Sequence, residues 1–218
     1  MRPAALFALV TLATSATTLA ANDTPAASTA PVPKGAYTVD KAHTSVIFRV
    51  DHLSFSHWTG RFTHVDAQLQ FDPANLPASR VTVTIDPRSI EADNPPADFL
   101  KALAGKDWLD ADQFPEMTFR TKSVETTGAR AFRIKGELTL HGVTRPLTLE
   151  ARYNGGYAGH PFDPHARIGF SAHGTLKRSE FGVSYGIPAP GTTMGVSDAV
   201  EIVVETEFTG PPLAVANP

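Results

Sequence analysis

Apolar and polar residues alternate along most of the chain after residue 44. In SVIFRV, residues 45–50, the side chains of Val46, Phe48 and Val50 fall on one face of an extended segment. A period of two predicts half-buried antiparallel β-strands. Seven further segments repeat the pattern: AQLQF (67–71), VTVTI (81–85), MTFRTKSV (117–124), FRIKGELTL (132–140), PLTLEARY (146–153), RIGFSAHGTL (167–176) and AVEIVVETEF (199–208).

Turn-forming residues separate these segments, among them Asp72-Pro73, Thr127-Gly128 and Asn154-Gly155-Gly156. The pair His141-Gly142 lies between two alternating segments and predicts a tight hairpin. Because such a turn needs a positive φ, which glycine adopts without strain, we expect Gly142 to supply it.

One segment, DNPPADFLKALAG (93–105), breaks this β pattern and predicts a short amphipathic helix. Asn94 suits the N-cap, Pro95 the first turn, and Gly105 the position just past the end. Phe99 and Leu103 are four residues apart and therefore share a face of that helix.

About eight strands with one or two short helices form either a β-sandwich or a closed β-barrel. Closure removes the exposed sheet edges, and eight strands leave an interior that side chains fill or that holds one slim ligand. The chain has 13 Phe and 2 Trp residues. Such residues can fill a barrel or line it, and the alternation pattern does not distinguish these cases.

The N-terminus has the order of a secretory signal. Arg2 provides a positive start, AALFALVTL (4–12) an apolar run too short to span a bilayer, and TTLAAN a small-residue cleavage region. We predict a signal peptide over residues 1–21, a Pro/Ala-rich tether over 22–35, one folded domain over 36–210 and a tail over 211–218. The expected product is soluble after cleavage and lies in the periplasm.

Composition narrows the possible partners. The formal net charge is −3 and no block of like charge stands out, which argues against nucleic acid. There is no second long apolar run, so we do not expect an integral membrane protein. The chain has no cysteine, so neither disulfides nor a cysteine-linked lipid anchor is expected.

No spacing in the chain marks a nucleophile, a base and an oxyanion donor together, and no histidine spacing marks a zinc site. His52, His57 and His64 match no compact zinc pattern, so we predict no metal site. Serines such as Ser45, Ser171 and Ser179 lack a G-x-S-x-G elbow. Asp40 and His43 are close in sequence, and we interpret them as a local hydrogen bond at the start of a strand. These patterns favour binding over catalysis.

Seven segments in order resemble the YceI-like family of exported bacterial lipid-binding proteins, also called polyisoprenoid-binding. The resemblance covers essentially the whole chain after the predicted tether. The segments are YTVDKAHTSVIFRVDHLSFSHWTGRF (37–62), LQFDP (69–73), VTVTIDPRSIEAD (81–93), DQFPEMTFRTKSV (112–124), GELTLHGVTRPLTLE (136–150), ARIGFSAHGTLKRSEFGV (166–183) and VSDAVEIVVETEF (196–208).

The resemblance implies an all-β fold, an extended lipocalin-like antiparallel barrel of about eight strands with an elongated apolar cavity. It implies a periplasmic carrier for an isoprenoid quinone, a polyprenyl phosphate or a similar long-chain lipid. That lipid would be a ligand, and no cofactor is expected. A homodimer is possible. The alternatives are a periplasmic enzyme or a protective stress-response module acting on lipid-like molecules, and a barrel with a solidly packed interior.

We predict that one side of the barrel wall is formed by Val46, Phe48, Val50 and His52. Arg178 and His52 are the candidates for contact with a polar head group. The chain departs from the family pattern at Phe99, where a histidine is common, and in the longer segment 102–113, so both bear on ligand choice. The remaining predicted lining residues are Phe62, Leu69, Phe71, Phe99, Leu103, Trp108, Phe119, Leu138, Phe170 and Leu176.

Overall fold

The protein is described by a computed structural model covering residues 32–159 and 162–212. The predicted signal peptide, most of the predicted tether and the last six residues lie outside these ranges. The strands are β1 (Gly35–His52), β2 (Ser56–Phe62), β3 (Val65–Phe71), β4 (Arg80–Ile85), β5 (Ile90–Glu91), β6 (Met117–Thr126), β7 (Ala131–Leu140), β8 (Val143–Tyr157), β9 (His165–Lys177) and β10 (Val196–Pro212). The helices are α1 (Phe99–Ala104) and the 3-10 helices Leu76–Ala78, Pro87–Ser89 and Arg178–Phe181.

Eight of the strands close into one antiparallel barrel. The pairing runs β1-β10-β9-β8-β7-β6-β4-β3 and returns from β3 to β1. These eight strands contain the eight segments that alternation predicted, so the predicted all-β barrel is confirmed. The short β5 pairs with β2, which continues along the edge of β1 beyond the end of β3.

A bulge in β1 explains how both halves of this long strand face the interior. Its register against β10 shifts between Asp40 and Ser45. Before the shift, Tyr37 and Val39 are buried, and after it the buried side chains are Val46 and Val50. Odd positions point inward in the first half and even positions in the second, because the bulge inserts an unpaired stretch that turns the strand over.

One end of the barrel is closed by packed side chains. Tyr37 is fully buried there, and its hydroxyl donates to the carbonyl oxygen of Pro33 at 2.7 Å. Val32 is also buried, so packing begins inside the predicted tether, and β10 runs two residues past the predicted domain end at 210. We call this group the floor cluster: Val32, Tyr37, Val39, Ala67, Leu69, Phe71, Ala166, Ile168 and Phe208.

Helix α1 lies beside β5 at the opposite end, and it is shorter than predicted. It begins at Phe99, whereas Asn94 adopts a left-handed turn conformation with φ of 47°. The cause is the Pro95-Pro96 pair, because a residue that precedes proline disfavours helical angles. Gly105 follows the last helical residue, as predicted, and Gly142 has the predicted positive φ, 72°.

Within the ranges described, no helix combines the length and hydrophobicity required to cross a membrane.

Candidate functional site: an apolar barrel cavity

A cavity of about 600 Å³ occupies the barrel interior. Its lower wall reaches the floor cluster through Val39 and Phe208. Among the described residues that line it, only five are polar or charged: Thr44, His52, Ser56, Arg178 and Thr206. The hydroxyls of Thr44 and Thr206 lie 2.9 Å apart and bond each other. The wall therefore offers almost entirely apolar surface, in a volume typical of small-molecule sites.

The cavity opens at the end opposite the floor cluster. Three of its lining residues, His52, Ser56 and Pro96, are solvent-exposed. His52 ends β1, Ser56 begins β2, and Pro96 precedes α1. We call the end of the barrel that carries these residues the mouth.

Every residue predicted to line the cavity does so except Phe71. Phe71 does point inward, on the same face of β3 as Leu69, but it is the last residue of that strand and pairs with Gly35. It lies in the floor cluster, with its ring edge-on to Tyr37 at a centroid distance of 5.8 Å. Phe71 therefore belongs to the floor cluster and not to the lining of the large cavity, because alternation fixes the face of a strand and not the height along the barrel.

Many residues of the cavity wall are not among those predicted from the sequence. The missed residues include Trp58 on β2, whose facing could not be assigned across the turn after His52. Most of the others lie on the inward face of strands already predicted. They include Ile134, Leu147, Leu149, Ala151, Ala172, Val200, Ile202 and Val204. Applying the period of two to every predicted strand would have found most of them.

A chain of aromatic rings forms one side of the cavity near the mouth. The Phe48 ring packs on Trp58 and on Phe62, with centroid distances of 5.7 Å and 5.4 Å. Trp58 then meets Phe99 of α1 edge-on at 5.6 Å. Gly60 lies under this group, and a Cβ there would lie 2.5 Å from the Phe48 ring. The rings thus connect the barrel wall to the helix, and Phe99 takes part in that contact.

Arg178 is the buried charge of the cavity wall. It is 4% exposed and donates four hydrogen bonds to backbone carbonyl oxygens, those of Val183, Tyr185, Val196 and Ser197. Its guanidinium also lies over the Trp108 ring, 5.1 Å from the centroid. Burial lowers the pKa of the Arg178 guanidinium, and the nearby Asp198 acts in the opposite direction.

These contacts place Arg178 in the wall of the cavity rather than on the surface. In the described part of the chain Arg178 forms no salt bridge, and its four bonds hold both ends of the segment 183–197. A guanidinium has five N–H donors, so these bonds leave one of them unused. Its predicted contact with a head group stays a prediction.

Among the described residues, His52, His57 and His64 do not bring their ring nitrogens together. Within the described ranges, the group whose ligand atoms approach one another is instead Asp40, His43 and Glu207, on the outer wall of the barrel. The guanidinium of Arg167 bonds Asp40 there, so a cation already occupies this position. His43 Nδ1 lies 2.9 Å from Asp40 Oδ2, which confirms the predicted local hydrogen bond. The Arg167 and His43 bonds hold the pKa of Asp40 at about 2.

The fold and cavity define a class: a closed antiparallel β-barrel with an apolar interior that is open at one end and suited to a single apolar ligand. The family model described as a YceI-like domain matches residues 37–208. The chain therefore belongs to the YceI family.

Comparison with individual proteins supports the same assignment. Protein YceI of Salmonella newport is 36% identical, over 78% of this chain and 85% of that protein. The crystal structure of BcnA from Burkholderia cenocepacia superposes with a TM-score of 0.65 at 27% identity, covering 78% of this chain and 98% of that one. A polyisoprenoid binding domain from Saccharophagus degradans has a TM-score of 0.57 at 14% identity and covers 80% and 98%, which shows a shared fold.

Proposed function

We propose that this protein binds a long-chain amphiphile, such as an isoprenoid quinone or a polyprenyl phosphate, in the barrel cavity and carries it through the periplasm. The observation that supports this most strongly is the continuous apolar wall of a cavity of about 600 Å³ that ends on the floor cluster. The Saccharophagus domain is 14% identical to this chain and therefore supports the fold alone. The proposal that the ligand is a lipid rests on the apolar cavity.

The energetics favour a long apolar tail. Each buried CH₂ group contributes about 0.8 kcal/mol, so a chain of several isoprene units gains ample affinity from a dry wall. Ordering the chain opposes part of this gain. A polar head group would remain at the mouth, close to His52 and to the remaining donor of Arg178.

We infer binding rather than turnover from the polar groups of the wall. Thr44 and Thr206 bond each other, and four donors of Arg178 are occupied by backbone. No carboxylate lies among the described lining residues, so a nucleophile, a base and an orienting acid do not meet inside the cavity.

The test is a substitution that shortens the cavity from the inside. Ala172 lines the wall and pairs with Ala151 and Val204 across the sheet. We expect Ala172→Phe to weaken binding of a ubiquinone about tenfold or more, because the new ring displaces a few CH₂ groups of the tail. The matched control is Ala199→Phe, which adds the same ring at an exposed position of β10.

Binding is measured by quenching of intrinsic tryptophan fluorescence, since Trp58 and Trp108 both line the cavity and are the chain's two tryptophans. Urea unfolding of each variant shows whether the fold is kept. Equal affinities for Ala172→Phe and Ala199→Phe, with both variants folded, would contradict a tail inside the barrel.

A further inference from the structure

Large exposed apolar side chains concentrate at the mouth. Within the described ranges, four large hydrophobic residues are exposed, and three of them lie at this end. Phe55 is 84% exposed in the β1–β2 turn, while Tyr185 and Met194 are 59% and 77% exposed in the segment 183–197. Single exposed apolar residues are ordinary, but a group beside a cavity opening marks an interaction surface.

Backbone contacts hold these side chains together. The N–H of Leu53 donates to the carbonyl oxygen of Gly195 at 3.0 Å, which joins the turn carrying Phe55 to the segment carrying Met194. Tyr185 packs on Trp108 with a centroid distance of 5.3 Å. The β1–β2 turn and the segment 183–197 therefore border His52 and Val196, two residues of the cavity wall that pair across the sheet.

These two segments are built to project. Leu53 and Ser54 both have left-handed backbone angles, with φ of 59° and 61°, in a tight turn that leads directly to Phe55. Left-handed angles are uncommon for residues other than glycine and cost free energy. At the other segment, the N–H of Val196 donates to the carbonyl oxygen of Gly186 at 2.8 Å, and the Arg178 bonds hold its two ends.

The absence of charge in these segments indicates what they contact. Residues 183–197 contain no Asp, Glu, Lys, Arg or His, and residues 52–60 contain only the two histidines as ionisable side chains. A water-facing loop normally carries charge, whereas a surface that enters the head-group region of a bilayer favours aromatic and apolar side chains and excludes carboxylates. The α1 side of the mouth is different, because it carries Asp98, Lys101 and Lys106.

We propose that the loops 52–60 and 183–197 form a membrane-docking surface, with Phe55, Tyr185 and Met194 inserting into the bilayer interface while the mouth faces the lipid. This inference rests on the proposed function, since a long-chain amphiphile reaches the cavity from a membrane. Docking would let the tail pass between bilayer and cavity without crossing water, and the charged α1 side would remain at the head-group level.

The test compares Phe55→Ser/Met194→Ser with Phe162→Ser in the full chain. Phe162 is 97% exposed in the β8–β9 loop, at the floor end, so it controls for removal of an exposed aromatic ring. Flotation with vesicles of phosphatidylethanolamine and phosphatidylglycerol gives the partition coefficient. We expect the double variant to lose about 100-fold, roughly tenfold for each side chain that no longer inserts, and the control to match the wild type.

Two further readouts separate the failure of docking from the failure of the proposed function. Binding of ubiquinone added from ethanol, measured by tryptophan quenching, should be equal in all three proteins, because neither Phe55 nor Met194 lines the cavity. Sedimentation velocity reports whether the same surface joins two copies of the chain.

Vesicle partition that is equal in wild type and double variant would overturn the docking proposal. So would a wild-type dimer that the double variant converts to a monomer without any vesicle binding. Failure of the wild-type protein to bind quinone would instead overturn the proposed function.

Discussion

Replacing Arg178 by methionine would remove the buried cation that holds the segment 183–197. The wild-type guanidinium donates to carbonyl oxygens at both ends of this segment, at distances of 2.8 to 3.1 Å, and lies over Trp108. Methionine keeps an apolar stem of similar reach. The substitution therefore removes four hydrogen bonds and a charge without opening a large void.

The expected loss of stability follows from these contacts. Hydrogen bonds to a charged group contribute about 1.5–3 kcal/mol each, but the buried Arg178 also carries a desolvation cost that methionine lacks, so we take about 1 kcal/mol per bond. Packing of the methionine side chain on Trp108 contributes about 1 kcal/mol of stability, which offsets part of this loss. The net destabilisation of Arg178→Met is then about 3 kcal/mol.

The assay is urea unfolding followed by circular dichroism. With a typical dependence of about 2 kcal/mol per molar urea, the midpoint should fall by about 1.5 M. The control, Lys177→Met, changes an exposed neighbour and should move the midpoint by less than about 0.3 M. A shift for Arg178→Met below about 0.5 M would refute the view that Arg178 holds the loop, and would leave it free to serve mainly a ligand.

Two other predictions test the packing and the outer wall. Gly136→Ala should destabilise the protein by about 1–3 kcal/mol in urea unfolding, because the added Cβ would lie 2.3 Å from the Phe119 ring. The control Gly128→Ala, whose Cβ would have its nearest contact at 3.4 Å, should be nearly neutral. Equal urea midpoints for the two variants would contradict this prediction. The pKa of Asp40 is lowered to about 2 in the folded protein, so as the pH falls the unfolded state binds a proton first. The free energy of unfolding should therefore decrease from about pH 4 to pH 2. Arg167→Leu should make this decrease smaller, and an unchanged pH profile of stability would disprove the reasoning.

Alternation alone predicted the barrel strands, because each wall strand has one face on the cavity and one on solvent. The same signal missed β2. The turn between β1 and β2 places Leu53 and Ser54 at positive φ, an angle that residues other than glycine seldom adopt, so the sequence does not fix the geometry of this turn. Alternation cannot be carried across such a turn, and the inward facing of Trp58 could therefore not be assigned from the sequence.

The bulge in β1 was also beyond the sequence pattern. Residues 37–39 and 46–50 each alternate, but on opposite parity, and the shift between them depends on pairing with β10. Phe71 and Arg178 illustrate the same limit for the site. Their neighbours in sequence fix the face, while their position along the barrel depends on contacts with distant segments. These are the floor cluster for Phe71 and residues 183–197 for Arg178.

We propose that a lipid occupies the cavity. The most direct measurement is native mass spectrometry of the protein purified from the periplasm of its own host, followed by organic extraction and mass analysis of whatever is released. Our account predicts one long-chain amphiphile per chain, such as an isoprenoid quinone or a polyprenyl phosphate. An empty protein that also fails to take up added quinone or polyprenyl phosphate would contradict it.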